Sequence, residues 1–532
     1  MAWLDLSPWV LGALALALLV FFDLGPPLAF NDDFEPAWSV RQLVAGHGFR
    51  TLPDQAALGL VQIVWAALVT FGHPDQRWLR LSLVPFALVS AAALYWLARR
   101  QGASRGWAAV AGAGLLCAPL YLGLATSFMT DVAYLALLLL AAVHGWRWVV
   151  EGRSLLACSV LVALASLQRQ QGAALLLALT AGLALAARGR AVGRREWGEL
   201  AGLWAAVALA QGLTLLLGLA TPQAVGRLAG LSAGLGDRLQ NPGELARALA
   251  TAPLVGGLVA LPFLAALAFA ASEPRRWTWA ALVPAAIALL AVGFAVQTSL
   301  HSAAIFPSNY WNHRGLNPLN LAGSKPALYP LAVYVGSELA AVAVVAVALV
   351  LRARDWSPKA GGTGGTFLVL VGLSQLLPVL VTGVWDRYYL PVVLPLLPVL
   401  AAMASRTARP RLASAWSVAA LAAGLAAYAA GEQDYQAWQQ ARDQAAQLAY
   451  RTVAPERVDA GYEAYAVYVY VPTLERTGRL PGGLPASATG QVDLVRGPAD
   501  PAVRLSFANA DDTHPGIAYR SLAPGRVVLL KP

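Results

Sequence analysis

Three acidic side chains stand close together in the stretch "FNDDFEPAWSVRQLVAGHGF", residues 30–49: Asp32, Asp33 and Glu35. A carboxylate can take a proton from a hydroxyl group or bind a divalent cation, so this stretch is a candidate for chemistry. Asp33 is predicted to cap a helix over residues 34–45. Because a cap needs only one carboxylate, Asp32 is the acid that remains available for catalysis.

The predicted helix after the acids is amphipathic. Glu35, Ser39 and Gln42 form a polar stripe along it, and the opposite face is apolar. We therefore expect this helix to lie at a membrane interface, where Glu35 is a candidate contact for a substrate.

A second acidic position, Asp131, opens the hydrophobic run in "ATSFMTDVAYLALLLL". It suits either an N-cap for the following helix or a second carboxylate of an active site. Two carboxylate sites on one membrane face suit general-base chemistry or a divalent cation such as Mg, Mn or Zn. The candidate catalytic acids are Asp32, Asp33 and Asp131. The candidate metal ligands are Asp32, Asp131 and His313, although isolated loop histidines are more often solvated.

Two further motifs place arginine near the ends of hydrophobic runs. Arg169, in "SLQRQQGAA", falls between two short apolar segments, where a charge is costly enough to suggest either a function or a snorkelling loop residue. Arg387 and Tyr388 follow Asp386 in "WDRYYLPVVLP", and a pairing of Asp386 with Arg387 explains this motif as well as a ligand does. Because guanidinium groups suit phosphate, Arg169, Arg387 and Tyr388 are candidate substrate-binding residues.

The composition indicates what must hold these residues in place. Of the 532 residues, 58% are hydrophobic and 12% are charged, and the mean hydropathy is +0.58. An average soluble domain has roughly 25% charged residues, so we predict an all-α polytopic membrane protein. The net charge of +10 comes from clusters between hydrophobic runs. The positive-inside rule explains those clusters without a nucleic-acid partner.

Spans of about 20 apolar residues predict the number of membrane helices. The sequence contains thirteen such segments, at 9–30, 79–98, 106–124, 131–149, 154–168, 172–187, 200–220, 251–271, 278–298, 328–351, 365–385, 388–404 and 413–430. The two short segments, 154–168 and 172–187, are either perpendicular spans or a pair that closes inside the protein.

The charge clusters orient these helices. If residues 56–71 lie at the outer interface instead of crossing, every arginine cluster falls on one side, which is then the cytoplasm. The N-terminus is then cytoplasmic, and the candidate acids and arginines face outward.

The last hundred residues differ from the rest. Residues 431–532 lose the apolar runs and predict a small extracytoplasmic α/β domain, while residues 1–430 form the transmembrane domain, including the outer loop 31–78. Within the tail, residues 433–450 are predicted as a helix. The pieces "YAVYVYVP" and "RVVLL" are typical of β-strands.

Motifs for nucleotide binding or metal-dependent hydrolysis, such as Walker A and HExxH, are absent from the sequence. An enzyme on the outer face lacks ready access to nucleotide-activated donors, so its donor would arrive already activated on a lipid. Five motifs resemble, in order, those of the GT-C superfamily of integral-membrane glycosyltransferases, in its family-39-like branch of protein O-mannosyltransferases and aminoarabinose transferases. They are "DDFEPAWSVRQLVAGHGF", "FGHPDQRWLRLSL", "SFMTDVAYL", "RQQG" and "DRYYLPVVLP".

The resemblance implies a GT-C fold, an outer active site and a polyprenyl-phosphate-linked sugar donor. It further implies that Asp32 is the base or acceptor-orienting group, that Asp131 is the second acidic site and that Arg169 lies near the lipid phosphate. The expected activity is transfer of a hexosyl or pentosyl group to a hydroxyl of a lipid, glycan or protein acceptor. The expected setting is cell-envelope glycosylation at a bacterial plasma membrane.

Two other classes of protein compete with this interpretation. A polytopic transporter or lipid-linked sugar flippase would be expected to show two related halves with Gly- or Pro-broken spans, and the sequence shows no such symmetry. A non-catalytic scaffold with an outer sensing domain would leave the acids on one membrane face unexplained. The glycosyltransferase interpretation is therefore preferred.

Overall fold

The computed structural model describes most of the chain. The described residues are 30–53, 55–188, 191–216, 219, 240, 242–271, 311–312, 314–316, 321–323, 325–330, 333, 336, 340–341, 343–345, 362–382, 386–407, 409–479, 501–508 and 514–530. Outside these ranges lie His313, the predicted span at 278–298, all of the span at 9–30 except Phe30, and most of the span at 328–351.

Within the described part of the chain, seven helices are long and apolar enough to cross a membrane. They are Gln76–Arg100, Thr130–Glu151, Arg194–Leu216, Thr251–Phe269, Gly362–Leu380, Asp386–Ala404 and Pro410–Tyr450. A further pair, Arg105–Leu116 and Pro119–Ala125, meets at 64° and forms one broken span. Each coincides with a span predicted from the sequence. The chain is therefore a mostly helical integral membrane protein.

Several of these spans are made of shorter pieces. The pieces are Gln76–Leu81 and Val84–Arg100; Pro242–Ala260, Leu261–Phe263 and Leu264–Ala271; and Asp386–Tyr389, Leu390–Val393, Leu394–Leu396 and Leu397–Ala404. Proline stands in the first turn of several pieces, because it lacks the N–H that a continuous helix would need there. The span Asp386–Ala404 begins with a 3-10 turn, Asp386–Tyr389, which carries two of the candidate residues.

The two short predicted spans meet at Arg169. Helix Leu156–Gln168 ends there, and a 3-10 turn, Gln170–Ala174, leads into helix Leu175–Ala186. A Cβ atom on Gly172 would lie 2.4 Å from the carbonyl carbon of Ala165, so only glycine allows the chain to fold back so closely. Both helices pack against Thr130–Glu151.

The stretch predicted to lie at the outer interface contains one helix, Leu60–Val69, of 10 residues. Such a helix is about 15 Å long, roughly half the thickness of a bilayer core, and is too short to cross. Its Gln62 is buried and donates to the carbonyl oxygen of Phe128 at 2.8 Å, whereas Leu68 and Phe71 are exposed. The polar side chain in the middle of the segment is thus hydrogen-bonded inside the protein, and the apolar side chains near its end lie on the protein surface.

Among the described residues, the arginine clusters near residues 100, 153 and 406 come together at one end of the helices. Arg100 and Arg153 pair with Glu151 at 3.2 and 2.9 Å, and the backbone N–H of Ser104 donates to Ser405 Oγ at 2.9 Å. Asp131 lies at the other end of the helix that carries Glu151, roughly 30 Å away by helix rise. Asp131 and these described arginine clusters are therefore separated, as the sequence predicted.

One helix, Pro410–Tyr450, joins the spans to the tail and has 41 residues. The span predicted at 413–430 and the helix predicted at 433–450 are both helical, and together they form one continuous helix. The segment is rich in alanine, which has the highest helix propensity, and neither of its glycines, Gly424 and Gly431, ends the helix.

The strands, numbered in chain order, form two small sheets. They are β1 Trp311–Asn312, β2 Gly315–Leu316, β3 Ala322–Gly323, β4 Val458–Asp459, β5 Val503–Ala508, β6 Gly516–Tyr519 and β7 Gly525–Leu530. β1 and β2 form a hairpin. In the larger sheet β7 lies antiparallel between β5 and β6, and β3 and β4 pair in parallel with the other edge of β5. The prediction that "RVVLL" is a strand is confirmed, since it is β7.

The prediction that "YAVYVYVP" is a strand is wrong. This segment forms helix Tyr462–Tyr465, a π-helical turn Ala466–Tyr470 and helix Val471–Thr477. Its apolar side chains pack on Phe34 and Leu52 of the first outer loop. Because strand propensity reflects side-chain packing as much as the backbone, this tertiary contact overrides the local preference for a strand.

Candidate active site

The chain turns sharply where the first outer loop begins. Asn31 has a φ of +52°, a conformation that asparagine adopts more readily than most residues. Asn31–Asp33 form a 3-10 turn that leads into helix Phe34–Val44. The turn sends the two neighbouring carboxylates in different directions. Asp33 is fully buried, whereas the side chain of Asp32 is 27% exposed.

The carboxylate of Asp33 is enclosed by four hydrogen-bond donors: the backbone N–H of Phe30 at 2.8 Å, Gln76 Nε2 at 2.9 Å, Arg80 Nη2 at 3.2 Å and the backbone N–H of Phe128 at 3.3 Å. Burial raises the pKa of this carboxyl, and the Arg80 guanidinium and the two N–H groups oppose that rise. The acid is thus held entirely by protein groups.

The prediction that Asp33 caps helix Phe34–Val44 is therefore wrong. Its side chain accepts no capping hydrogen bond from this helix, and its own φ of −68° and ψ of −14° are already helical. A side-chain cap normally requires extended backbone at the capping residue.

The predicted polar stripe of the first outer helix is not open to a membrane interface at its start. Glu35 and Ser39 are buried, and Ser39 Oγ donates to Gln55 Oε1 at 3.2 Å. Further along, Gln42 Nε2 donates to Glu475 Oε1 of the tail at 3.4 Å. The first half of the helix is thus buried in the protein and its second half contacts the tail, whereas its placement at a membrane interface stays a prediction. A substrate contact of Glu35 stays a prediction.

Asp32 joins three distant parts of the chain. Its Oδ2 accepts from Arg387 Nη2 at 2.8 Å, and its Oδ1 accepts from the hydroxyl of Tyr462 at 2.6 Å. Each oxygen of a carboxylate has two acceptor positions. Because the side chain is partly exposed, Asp32 retains capacity to accept a further hydrogen bond from a substrate hydroxyl.

The guanidinium of Arg387 does not pair with Asp386, which was one interpretation of the motif. Asp386 Oδ1 instead accepts from the backbone N–H of Arg387 at 2.8 Å, and Asp386 Oδ2 accepts from the backbone N–H of Trp311 at 3.1 Å. Asp386 therefore fixes the backbone of the turn and allows the guanidinium of Arg387 to reach Asp32.

The aromatic ring of Tyr388 lies between two arginines. The Cζ atoms of Arg387 and Arg169 are 5.2 and 5.1 Å from its centroid. Both distances are within the range of a cation–π interaction, which holds the two guanidinium groups close to one ring.

Arg169 completes the arrangement by pairing with Asp131, and its Nη1 also donates to Thr130 Oγ1 at 3.3 Å. The helix that contains Asp131 begins at Thr130, with Met129 at the capping position, so Asp131 is not its N-cap. Both charged side chains are buried. The interpretation of Arg169 as a snorkelling loop residue is excluded by this ion pair.

These contacts form one continuous line of side chains, here called the outer row. Its members are Asp32, Arg387, Tyr388, Arg169 and Asp131. All five were singled out from the sequence, and they come from four segments that are far apart in the chain. Two acids and two arginines leave the row formally neutral, so charge is distributed along it rather than concentrated at one point.

An apolar cavity of about 380 Å³ reaches the turn that carries Arg387. Its wall includes Asp386 and Trp311, and it follows the long helix from Trp416 to Ala427, roughly 16 Å by helix rise. Most of the remaining wall is Ala, Leu, Val and Pro. Such a space suits an apolar chain whose polar end lies near the outer row.

Each acid of the outer row is paired with an arginine in this arrangement. Among the described residues, no group of three or more His, Cys, Asp or Glu side chains could hold a metal ion. Asp32 and Asp131 each bind an arginine, which a cation would have to displace. His313 lies outside the described ranges. The metal site stays a prediction, and no step below uses it.

Several residues around the site were not singled out from the sequence. Tyr462 is one of four tyrosines in "GYEAYAVYVY", and nothing local distinguishes the one that reaches Asp32. Arg80 did carry a signal, because an arginine near the start of a predicted span is costly unless it is paired. The tail residues Arg442 and Glu463, which form a buried ion pair at 2.7 Å, carried none.

The chain is similar over nearly its full length to solved structures of ArnT from Cupriavidus metallidurans. One, bound to undecaprenyl phosphate, is 17% identical with a TM-score of 0.34; the other, in the apo state, is 16% identical with a TM-score of 0.32. Both matches cover 98% of this chain and 97% of the other. No protein-family model and no curated protein matches the chain. The proposal below rests on the site geometry and the sequence motifs.

Proposed function

We propose that this protein is a membrane glycosyltransferase that moves a sugar from a polyprenyl-phosphate donor to an acceptor hydroxyl on the outer face. The observation that carries the proposal is the outer row, in which a partly exposed carboxylate lies directly beside an arginine. Transfer from a lipid phosphate needs these two groups together. The carboxylate takes the acceptor proton, and the cation stabilises the departing phosphate.

Asp32 is the proposed general base. The acceptor hydroxyl gives its proton to a carboxylate oxygen of Asp32 as the hydroxyl oxygen attacks the anomeric carbon of the sugar. The bond between that carbon and the phosphate oxygen breaks, and its electron pair leaves with the polyprenyl phosphate. The anomeric configuration is inverted. Asp33 cannot take this role, because its carboxylate is fully buried and accepts from four protein donors.

Arg387 is the proposed contact for the leaving phosphate, since its guanidinium touches Asp32 and its neighbour Asp386 lines the cavity. A planar guanidinium can donate two parallel hydrogen bonds to phosphate oxygens. Arg169, held by Asp131 and close to the ring of Tyr388, supplies a second positive charge along the row.

The apolar cavity supports a lipid-linked donor over a water-soluble one. Its wall of small and aliphatic side chains would accept a polyprenyl chain, and burial of apolar surface contributes about 25 cal/mol per Å². A polyprenyl chain in this cavity would place its phosphate near Asp386 and Arg387. Acceptors that suit such a site are the hydroxyl groups of envelope lipids, glycans or proteins. The proposed setting is a bacterial plasma membrane with the N-terminus in the cytoplasm.

The experiment is a transfer assay with purified protein, a panel of radiolabelled polyprenyl-phosphate sugars and candidate acceptors, with and without a chelator. We expect label to move from the lipid to an acceptor. Asp32→Asn should lower the rate by about 10²–10⁴-fold, the usual contribution of a general base. Loss of transfer with the chelator would support the predicted divalent cation.

The matched control is Asp75→Asn in the same loop. Asp75 is exposed and caps helix Gln76–Leu81 through a bond of 3.0 Å to the N–H of Trp78, a role that asparagine fills equally well. Transfer by Asp32→Asn at the wild-type rate would contradict the proposal. Movement of intact labelled lipid across proteoliposomes, without transfer, would favour the flippase instead.

A further inference from the structure

The tail of the protein touches the proposed base directly. The hydroxyl of Tyr462 donates to Asp32 Oδ1 at 2.6 Å, across 430 positions of sequence. The tyrosine ring also packs edge-on against Phe34, with 5.9 Å between the centroids. One side chain of the tail is thus fitted both to the acid and to the helix that follows it.

Glu463, which follows Tyr462 in the tail, binds Asn31, which precedes Asp32 in the loop. Glu463 Oε1 accepts from the backbone N–H of Asn31 at 3.1 Å, and Glu463 Oε2 accepts from Arg442 Nη1 at 2.7 Å. Arg442 and Glu463 are both 0% exposed. Because a buried ion pair is costly to separate, Glu463 is anchored to the long helix that rises from the membrane.

The backbone before Tyr462 is set for this contact. Gly461 has a φ of 84° and a ψ of 170°, a region that essentially only glycine occupies. Its N–H donates to Asp459 Oδ1 at 3.2 Å. The chain therefore enters the segment at a fixed angle, and Tyr462 and Glu463 meet Asp32 and Asn31 in register.

Asp32 is held at both oxygens by these contacts. Arg387 binds Oδ2 and Tyr462 binds Oδ1, so rotation of the carboxylate about its own axis would break one or both bonds. General-base catalysis depends on geometry within hydrogen-bond distance of the substrate proton. A second fixed donor limits the orientations that the carboxylate can adopt.

We propose that Tyr462 is a positioning residue for glycosyl transfer, and that the tail domain serves through it to hold Asp32 in its reactive orientation. This inference rests on the function proposed above. Tyr462 acts through Asp32 and takes no proton from the acceptor itself. Through the contact between Tyr462 and Asp32, the tail would take part in the chemistry of a site that is formed mainly by the membrane helices.

The test is Tyr462→Phe, which keeps the ring on Phe34 and removes only the hydroxyl. We expect kcat for transfer to fall by about 10-fold or more, the equivalent of one hydrogen bond to a charged group. The KM for the lipid donor should stay within about two-fold, since the arginines of the outer row remain. If Tyr462 served only in folding, the variant would yield less active protein, but kcat per folded molecule would not fall.

The matched control is Tyr468→Phe on the same segment. Its hydroxyl donates to Asp443 at 2.6 Å and its ring packs on Tyr450, with 5.5 Å between centroids, away from the outer row. It should leave kcat unchanged. If Asp32→Asn abolishes transfer while Tyr462→Phe transfers at the wild-type rate, the positioning role is overturned and the proposed function stands.

A second measurement separates the two proposals if no donor is accepted. Hydrogen exchange of the backbone over residues 30–35 should be faster in Tyr462→Phe than in Tyr468→Phe, because the loop loses one of its contacts with the tail. Equal exchange in the two variants would overturn the positioning role independently of any transfer. Failure of every labelled donor would count against the proposed function alone.

Discussion

Two carboxylate regions stand side by side in this protein and are built from the same residue types. In the buried region, Asp33 and Arg80 are 0% and 1% exposed, and the acid accepts from four protein donors. In the outer row, Asp32 binds Arg387 and one tyrosine and is 27% exposed. Both acids pair with an arginine. They differ in the exposed fraction of the side chain and in the number of protein donors around it.

The comparison shows how neighbouring acids acquire different roles. A carboxylate surrounded by protein donors can organise the structure, because removing its partner leaves a buried charge without compensation. A carboxylate that retains an exposed edge can accept a proton from outside. Asp33 therefore ties the first loop to the second span, whereas Asp32 is the acid that a substrate can reach.

The largest effect is expected in the buried region. Asp33→Asn removes one partner of a buried ion pair and should lower the free energy of unfolding by about 3–5 kcal/mol. The melting temperature in detergent would measure this loss. Transfer per folded molecule should change by less than about three-fold, since Asp33 is out of reach of substrate.

A double variant sharpens this result. Adding Arg80→Met to Asp33→Asn removes the second charge of the pair and should restore part of the lost stability, because buried ion pairs can be replaced by apolar groups at little cost. If Asp33→Asn melted at the wild-type temperature but had lost transfer, the roles assigned to the two regions would be reversed.

A smaller effect is expected in the outer row from Arg387→Lys. The variant keeps the positive charge but loses the planar fork and its stacking on Tyr388. We expect KM for the lipid donor to rise about 10-fold, the lower end for a hydrogen bond to a charged group. Kinetics at varied donor concentration would measure it.

Arg100→Lys is the control for that change. Arg100 stacks on Trp96 at 4.8 Å and pairs with Glu151 at the opposite end of the helices. It should leave KM unchanged. An equal rise in KM for both variants would show that arginine matters only for general stability, and the proposed phosphate contact would be lost.

A third effect in the outer row is expected at Tyr388, and its range begins lower than the effect at Arg387. Tyr388→Leu fills the site but removes the ring between the two arginines, and each cation–π contact contributes about 0.5–2 kcal/mol. Transfer should fall by roughly 2- to 30-fold. Tyr388→Phe in the same assay tests whether the ring causes the effect. Phenylalanine keeps a ring and should therefore retain most activity. Equal losses in both variants would assign the effect to the hydroxyl.

The sequence predicted the parts of the fold that depend on local properties. Each spanning helix in the described part of the chain coincides with a predicted apolar segment, because a helix that crosses lipid must be continuously apolar over a fixed length. The placement of Arg169 between two short helices and of Asp131 at the start of a span followed from the same patterns. So did the strand "RVVLL".

The predictions that failed concern segments whose neighbours are distant in sequence. "YAVYVYVP" has strong strand propensity, yet it is helical because its side chains pack on Phe34 and Leu52. Asp33 fits the pattern of a helix cap, yet its donors come from residues 30, 76, 80 and 128. No local pattern contains those partners.

The acids and arginines now found in the outer row were recognisable from sequence alone, because they border apolar runs on the side away from the arginine clusters, where a charge at membrane depth is costly. Their order within the row was not. Only the tertiary structure decided that Arg387 joins Asp32, that Arg169 joins Asp131 and that Tyr388 lies between them. The same holds for Tyr462, whose contact with Asp32 spans 430 positions. Contacts over such distances depend on how the whole chain packs, whereas hydrophobic length and helix ends depend on a few neighbouring residues.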